Sequence, residues 1–176
     1  MYKAVSQPLK FIDGIFDRVF SIIGAVALSQ FPQFFGQYLQ RLGGHLAEAR
    51  LTLVQYNSAA EALDMTLKEY IREHIESGSA VFKSSGEVIQ NLLERYQSLD
   101  QAYRAMLDAN IFNRWLVFFK EVDWSIAAGT WENFMPGVPT TIEGLTYAMV
   151  GLLLGWGLYA LLKAVVTFPV RVLKAK

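Results

Sequence analysis

The chain contains no cysteine, which removes disulfide frameworks and thiolate chemistry and leaves the redox state of its compartment open. Histidine is almost as scarce: His45 and His74 are the two in the sequence. They lie far apart and neither has a partner at the spacing of zinc-binding helices, so ordinary structural or solvated histidines are expected, with no metal and no cofactor. Charge of one sign is also missing, because lysine plus arginine and aspartate plus glutamate balance to a formal net charge of zero. Between Phe35 and Pro139 acids outnumber bases, which excludes the basic face a nucleic-acid partner requires. With no nucleophile constellation, phosphate loop or paired acid set, the chain is not expected to be an enzyme.

Apolar residues are what the chain has in excess, at 53% of 176 residues, high for a water-soluble protein of this size. The excess sits in two blocks near the ends. From Leu9 to Phe35 the sequence is mostly apolar around the uncharged core Val19 to Phe31. That core is short for a membrane span unless the turns holding Asp13, Asp17 and Arg18 lie at headgroup level. Ala25-Val26-Ala27 resembles a signal-peptide cleavage site. Because Asp13 and Asp17 precede the apolar core, a retained span is the reading adopted. Pro32 follows, positioned either to open the next helix or to kink a continuous one.

The second block, Gly144 to Leu162, is uncharged and close to the roughly 20 residues a bilayer requires. Lys163, Arg171, Lys174 and Lys176 follow it with no acid among them. Flanks rich in Lys and Arg tend to stay cytoplasmic, so both termini are expected inside and the part between the spans outside. In a Gram-negative bacterium that part is periplasmic. Asp13, Asp17, Arg18 and Lys163 are read as membrane-boundary charges, with Lys10 and Arg18 near enough to pair the two acids. Gly151 and Gly155 form a small-xxx-small face that permits tight helix contact.

Between the spans the pattern becomes helical and amphipathic. Leu39, Leu42, Leu46, Ala49, Leu53, Tyr56, Ala60, Leu63, Leu67 and Tyr70 recur at steps of three and four, a stripe that faces another helix along its length. The spacing predicts one rod from Phe35 to about Glu76. Gly43-Gly44 interrupts it at a cost of roughly 0.5 to 1 kcal/mol per glycine, which points to a hinge or a close helix contact there. Ser77-Gly78-Ser79 and Ser84-Ser85-Gly86 read as turns, and Ser84 with Glu87 reads as a capping box opening a new helix. Ile89, Leu92, Tyr96, Leu99, Tyr103 and Met106 then form a second stripe, the natural antiparallel partner of the first. Leu51, Val54, Met65, Ile71 and Ile75 lie off the first stripe and form a second apolar edge.

The register slips around Asn110 to Asn113, and an aromatic-rich segment follows with Phe112, Trp115, Phe119, Val122 and Ile126 on one face. Trp115, Trp124 and Trp131 suit a bilayer interface, although a third bundle helix using the same aromatics as core predicts the same pattern. Pro136-Gly137-Val138-Pro139 breaks the chain, and Thr140 with Glu143 reads as a capping box before the second span.

The expected fold is an all-α membrane protein, two transmembrane helices flanking a long antiparallel, coiled-coil-like helical hairpin and an amphipathic aromatic-rich helix. Its parts are residues 1–34 (cytoplasmic N-terminus and first span), 35–110 (hairpin), 111–139 (aromatic helix and Pro/Gly linker) and 140–176 (second span and basic tail).

The runs QYLQRLGGHLAEA (Gln37 to Ala49) and VPTTIEGLTYAMVGLLLGWGL (Val138 to Leu158), with FKSSGE (Phe82 to Glu87) between them, resemble a family of small proteobacterial inner-membrane proteins classed as a domain of unknown function. The resemblance implies a two-span protein of the bacterial inner membrane and carries over no catalytic or ligand residue. The expected function is a non-enzymatic, membrane-anchored assembly or scaffold protein whose partners are the lipid bilayer and further copies of itself. The alternative is a sensor or accessory subunit whose hairpin binds a ligand or another membrane protein.

Overall fold

In the computed structural model of the chain, residues 2–174 are described, with side chains from 13 to 167. Regular structure among them is helical throughout: α1 (Tyr2–Glu61), α2 (Leu67–Glu76), α3 (Ala80–Leu107), α4 (Arg114–Glu121), α5 (Trp124–Glu132) and α6 (Ile142–Lys174). The helices divide into two compact units, Met1–Phe35 with Phe134–Lys176, and Gly36–Asn133.

In the first unit, α1 and α6 are each long and apolar enough to cross a membrane, and only 11% of either apolar window is buried. Ile22, Ile23, Val26, Leu153 and Leu154 are all exposed. A helix of a soluble core hides such residues, so these are candidate membrane spans with their apolar surface turned outward. The two run antiparallel: Phe31 stacks near Tyr147 and, further back along α1, Phe20 stacks near Tyr159, with ring centroids 5.4 and 5.6 Å apart. α1 passes through Pro32 without a break. The capping residue of α6 is Thr141 rather than Thr140, its Oγ1 accepting from the Gly144 amide at 3.0 Å.

In the second unit the predicted stripe is largely internal: Leu42, Ala49, Leu53 and Ala60 of α1 and Ile89, Leu99 and Met106 of α3 are buried. Tyr103 lies against Gly43, while Tyr56 lies beside Ile89, so contacts advance along α1 as they retreat along α3. The helix does not continue to Glu76 as predicted. It ends in a Schellman motif: the Met65 amide donates to the Ala60 carbonyl, the Asp64 amide donates to Glu61, and Asp64 takes the left-handed conformation at φ 55°. A complete capping box, Thr66 with Glu69, then opens α2. Thr66-x-x-Glu69 is the start signal that the unbroken three-four rhythm concealed. Once the chain turns, the face is redefined, so Leu63 is 58% exposed and the supposedly off-stripe Ile71 is buried.

Two further turn assignments also change. α3 begins after Ser79, and Ser84, Ser85 and Gly86 lie inside it. Gly86 is buried because α2 crosses there: an added Cβ would meet Ile75 Cγ1 at 2.8 Å, His74 Cβ at 2.9 Å and the Ile75 backbone nitrogen at 3.0 Å. Its glycine serves a close approach, not a turn. The aromatic segment is two short helices, since Asp123 caps a new one through Oδ1, which accepts from the Ser125 amide at 2.9 Å and the Ile126 amide at 3.2 Å. Phe112, Trp115 and Phe119 are exposed, whereas Phe118, Ile126 and Ala127 are buried, so the predicted single face is divided.

Gly86→Ala is expected to destabilise the second unit by about 1–3 kcal/mol, read by denaturant unfolding of the detergent-solubilised chain. Gly44→Ala, with nothing near its added methyl, is expected to be neutral or to stabilise by up to about 1 kcal/mol.

Candidate functional site

Three places in the structure bring together residues that sequence reading left separate. The first lies along the α1–α6 contact. A Cβ on Gly151 would collide with the Gly24 carbonyl, one on Gly155 with the Phe20 carbonyl, and one on Gly24 with the Gly151 carbonyl. Gly151 and Gly155 therefore pack within the chain, backbone on backbone. Contact this close strengthens dispersion and admits weak Cα–H···O bonds, which replace the hydrophobic effect where lipid is the solvent. Gly24 was not singled out in the sequence, although it too sits in an uncharged stretch of small and apolar residues.

The same helix pair ends in a charged cluster. Asp13 accepts a hydrogen bond from the Tyr159 hydroxyl and forms an ion pair with Lys163. The expected boundary charges are thus joined across helices, where Lys10 and Arg18 had been expected to pair with Asp13. Asp17 is half-buried and Arg18 exposed; the Lys10 side chain lies outside the described ones. At the other end of the contact, Gln30 brackets Gly137: its amide donates to the Gly137 carbonyl at 3.2 Å and accepts from the Gly137 amide at 3.1 Å. That bracket ties the Pro-Gly loop to α1 and satisfies backbone groups that would otherwise be unpaired among apolar residues.

The second place is in the Gly36–Asn133 unit, where α4 and α5 are fastened to the opening turns of its α1 segment. Tyr38 is fully buried, its ring edge-on to Phe118 at 5.2 Å. Its hydroxyl accepts from the Asp123 amide at 2.9 Å, and burial pushes the phenol pKa up. Arg41 donates to the Gly129 carbonyl at 2.9 Å. Burial pushes the Asp123 carboxyl up, but hydrogen bonds from the Ser125 hydroxyl and from the Ile126 and Ser125 amides, helped by Arg95, outweigh it and hold the group below its ordinary value. Trp115, Trp124 and Trp131 are 46%, 67% and 69% exposed on these two helices.

The third place is an open groove of about 900 Å³ between α1 and α3, lined among others by Leu46, Arg50, Leu51, Val54, Tyr96 and Asp100. Gly43 lies in its wall, where an added Cβ would sit 3.1 Å from the Tyr103 ring, while Gly44 faces open space. Asp100 and Arg104 pair at 2.8 Å on the rim. His74 is occupied within the α2–α3 packing: its Nδ1 lies 2.8 Å from the Tyr70 carbonyl and its ring packs between Tyr70 and Phe82. His45 is half-buried on α1. Among the described residues no three His, Asp or Glu side chains converge as a metal-ligand set.

An all-helical chain with two candidate spans, in which packed backbones and capped helices account for the conspicuous residues, can be set against known proteins. The model of one family, protein of unknown function (DUF2937), matches residues 12–172. The chain belongs to this DUF2937 family. No curated protein and no solved structure matches it. The match covers both candidate spans and everything between them, so all three places lie within the family domain.

Gly155→Leu is expected to weaken the α1–α6 pair by about 1–3 kcal/mol or more, lowering the denaturing-detergent fraction at its unfolding midpoint, while Gly157→Leu, next to open space, leaves it unchanged. Asp123 adds a pH dependence. Its folded pKa lies below the unfolded one, so its contribution is present above the ordinary aspartate range and is lost as pH falls through the lowered value. Thermal melts followed by tryptophan fluorescence are expected to show this acid-side loss in the native chain and a flatter profile in Asp123→Asn.

Proposed function

We propose that the chain is a non-enzymatic, membrane-anchored assembly protein of the bacterial inner membrane that self-associates through the helices between its two spans. In this reading both termini are cytoplasmic, as the lysines and arginines outside the spans favour, and residues 35–110 form a periplasmic helical hairpin with coiled-coil-like stripes. The observation that carries it is the groove between α1 and α3, where Leu51 and Val54 remain 68% and 54% exposed beside an apolar wall. A slender helical pair has little interior, and an apolar edge left open along it is satisfied most simply by the same edge of another copy. Rim charges of both signs, Arg50, Arg104 and Asp100, give a symmetric contact the means to set its register.

The mass of the particle in mild detergent tests this. Oligomers are expected, with Leu51→Glu and Val54→Glu each raising the dissociation constant at least about tenfold, equivalent to about 1.4 kcal/mol, at unchanged helix content. A native chain that stays monomeric over a wide concentration range sinks the reading. Co-purification with a different membrane protein at fixed stoichiometry replaces it with an accessory-subunit role.

A further inference from the structure

We propose that α4 and α5 form a membrane-surface docking element whose exposed aromatic stripes sit in the headgroup region of the bilayer. The observation behind this is an apolar stripe that stays exposed. Phe112, Trp115, Leu116 and Phe119 are spaced three and four apart, so they share one stripe at and along α4, and they are 79%, 46%, 53% and 59% exposed. The opposite side, which faces the protein, carries Arg114, Phe118 and Glu121; Arg114 is half-buried and the Glu121 side chain is only 15% exposed. A helix solvated by water keeps such a stripe covered. On α5, Trp124 and Trp131 are seven apart and both exposed, while Ile126, Ala127 and Thr130 are buried. Among the described residues both stripes are mostly exposed.

Three observations identify the occupant as lipid. Chain distance comes first. Tyr38 and Arg41, which bond to Asp123 and Gly129, follow Phe35 by three and six residues along α1, about 5 to 9 Å of helix rise. The candidate span of α1 is therefore followed in the chain within six residues by the side chains that hold α5. On the other side, α5 ends at Glu132, and Phe134 already belongs to the unit that contains the second candidate span. Both connections tether these helices to membrane-crossing segments. Residue type is the second observation, since tryptophan, with an apolar body and one N–H, is favoured where one side is hydrocarbon and the other wet. The third is charge: Lys120, which pairs with Glu121 at 3.4 Å, borders the α4 stripe with its side chain still 81% exposed, where it can also reach lipid phosphates. The proposal rests on α1 and α6 crossing the bilayer and is independent of self-association.

The absence of cysteine lets the full chain be spin-labelled at single sites without removing any native thiol. Leu116→Cys, Leu153→Cys on α6 and Gln97→Cys on α3, each carrying a nitroxide, are reconstituted into vesicles of phosphatidylcholine and phosphatidylglycerol. Accessibility to dissolved oxygen, which partitions into lipid, is compared with accessibility to an aqueous nickel chelate. The label at 116 is expected to favour oxygen several-fold over its value at 97, at a depth of about 5–10 Å below the headgroups. All three sites are surface positions, and an unchanged helical circular dichroism spectrum identifies the variants that retain the fold. Phe119→Cys supplies a second reading of the same stripe. A nickel-accessible label at 116 beside a lipid-exposed label at 153 overturns the docking proposal alone; nickel accessibility at both overturns the membrane reading itself. A label at 116 shielded from both reagents, with spin–spin broadening, assigns the stripe to another copy and overturns it as well.

Discussion

Everything described here leans on the continuity of α1. Its helical backbone continues through Pro32, which supplies no N–H to the ladder, and through Gly43-Gly44, residues that each weaken a helix in isolation. Tertiary contact on both stretches offsets that weakness. Up to Phe35 the helix offers Gly24 and the backbone at Phe20 as a smooth surface for α6. Beyond it the helix offers a buried stripe, from Tyr38 through Leu42 and Leu53 to Ala60, against which the remaining helices of the second unit gather. One helix thus takes part in two kinds of packing.

The difference between the two is physical. In the first unit, apolar side chains such as Ile22 and Leu153 point outward and the contact is made of bare backbone. Close backbone approach of this kind suits helices that cross a membrane, because lipid is no less apolar than leucine and gives side chains no reason to hide. In the second unit the buried stripe does what it does in water, removing apolar surface from the solvent. Glycine has a separate role in each. Gly24, Gly151 and Gly155 allow two backbones to touch, Gly86 allows α2 to cross α3, and Gly44 and Gly157 face open space. The sequence offers no distinction among these; only the neighbour across the contact makes one.

Polar groups follow the same logic. Asp123 closes the N-terminus of α5 and also supplies, through its amide, the donor for the buried Tyr38 hydroxyl. Gln30 and the Gly137 backbone satisfy one another, and Asp13, Tyr159 and Lys163 form a set across two helices. None of these pairs is close in sequence. The Tyr38 hydroxyl and the Gly137 backbone are thereby satisfied where an unpaired polar group would be costly.

The sequence by itself determined the helical class, the two long apolar stretches and most of the buried stripe, because hydrophobic periodicity and run length are local properties of the chain. Thr66 and Glu69 announced the start of α2, but the surrounding three-four rhythm continued straight through them and masked the turn. Local rhythm also could not say which of two faces is covered: Phe118 is buried and the adjacent Phe119 is exposed. Tertiary structure alone decided that Gly24 meets Gly151, that Asp13 reaches Lys163, and that α4 buries Phe118 while leaving Phe119 exposed. Those outcomes depend on groups more than a hundred residues apart or on the shape of a neighbouring helix, and neither is written into any local stretch of chain.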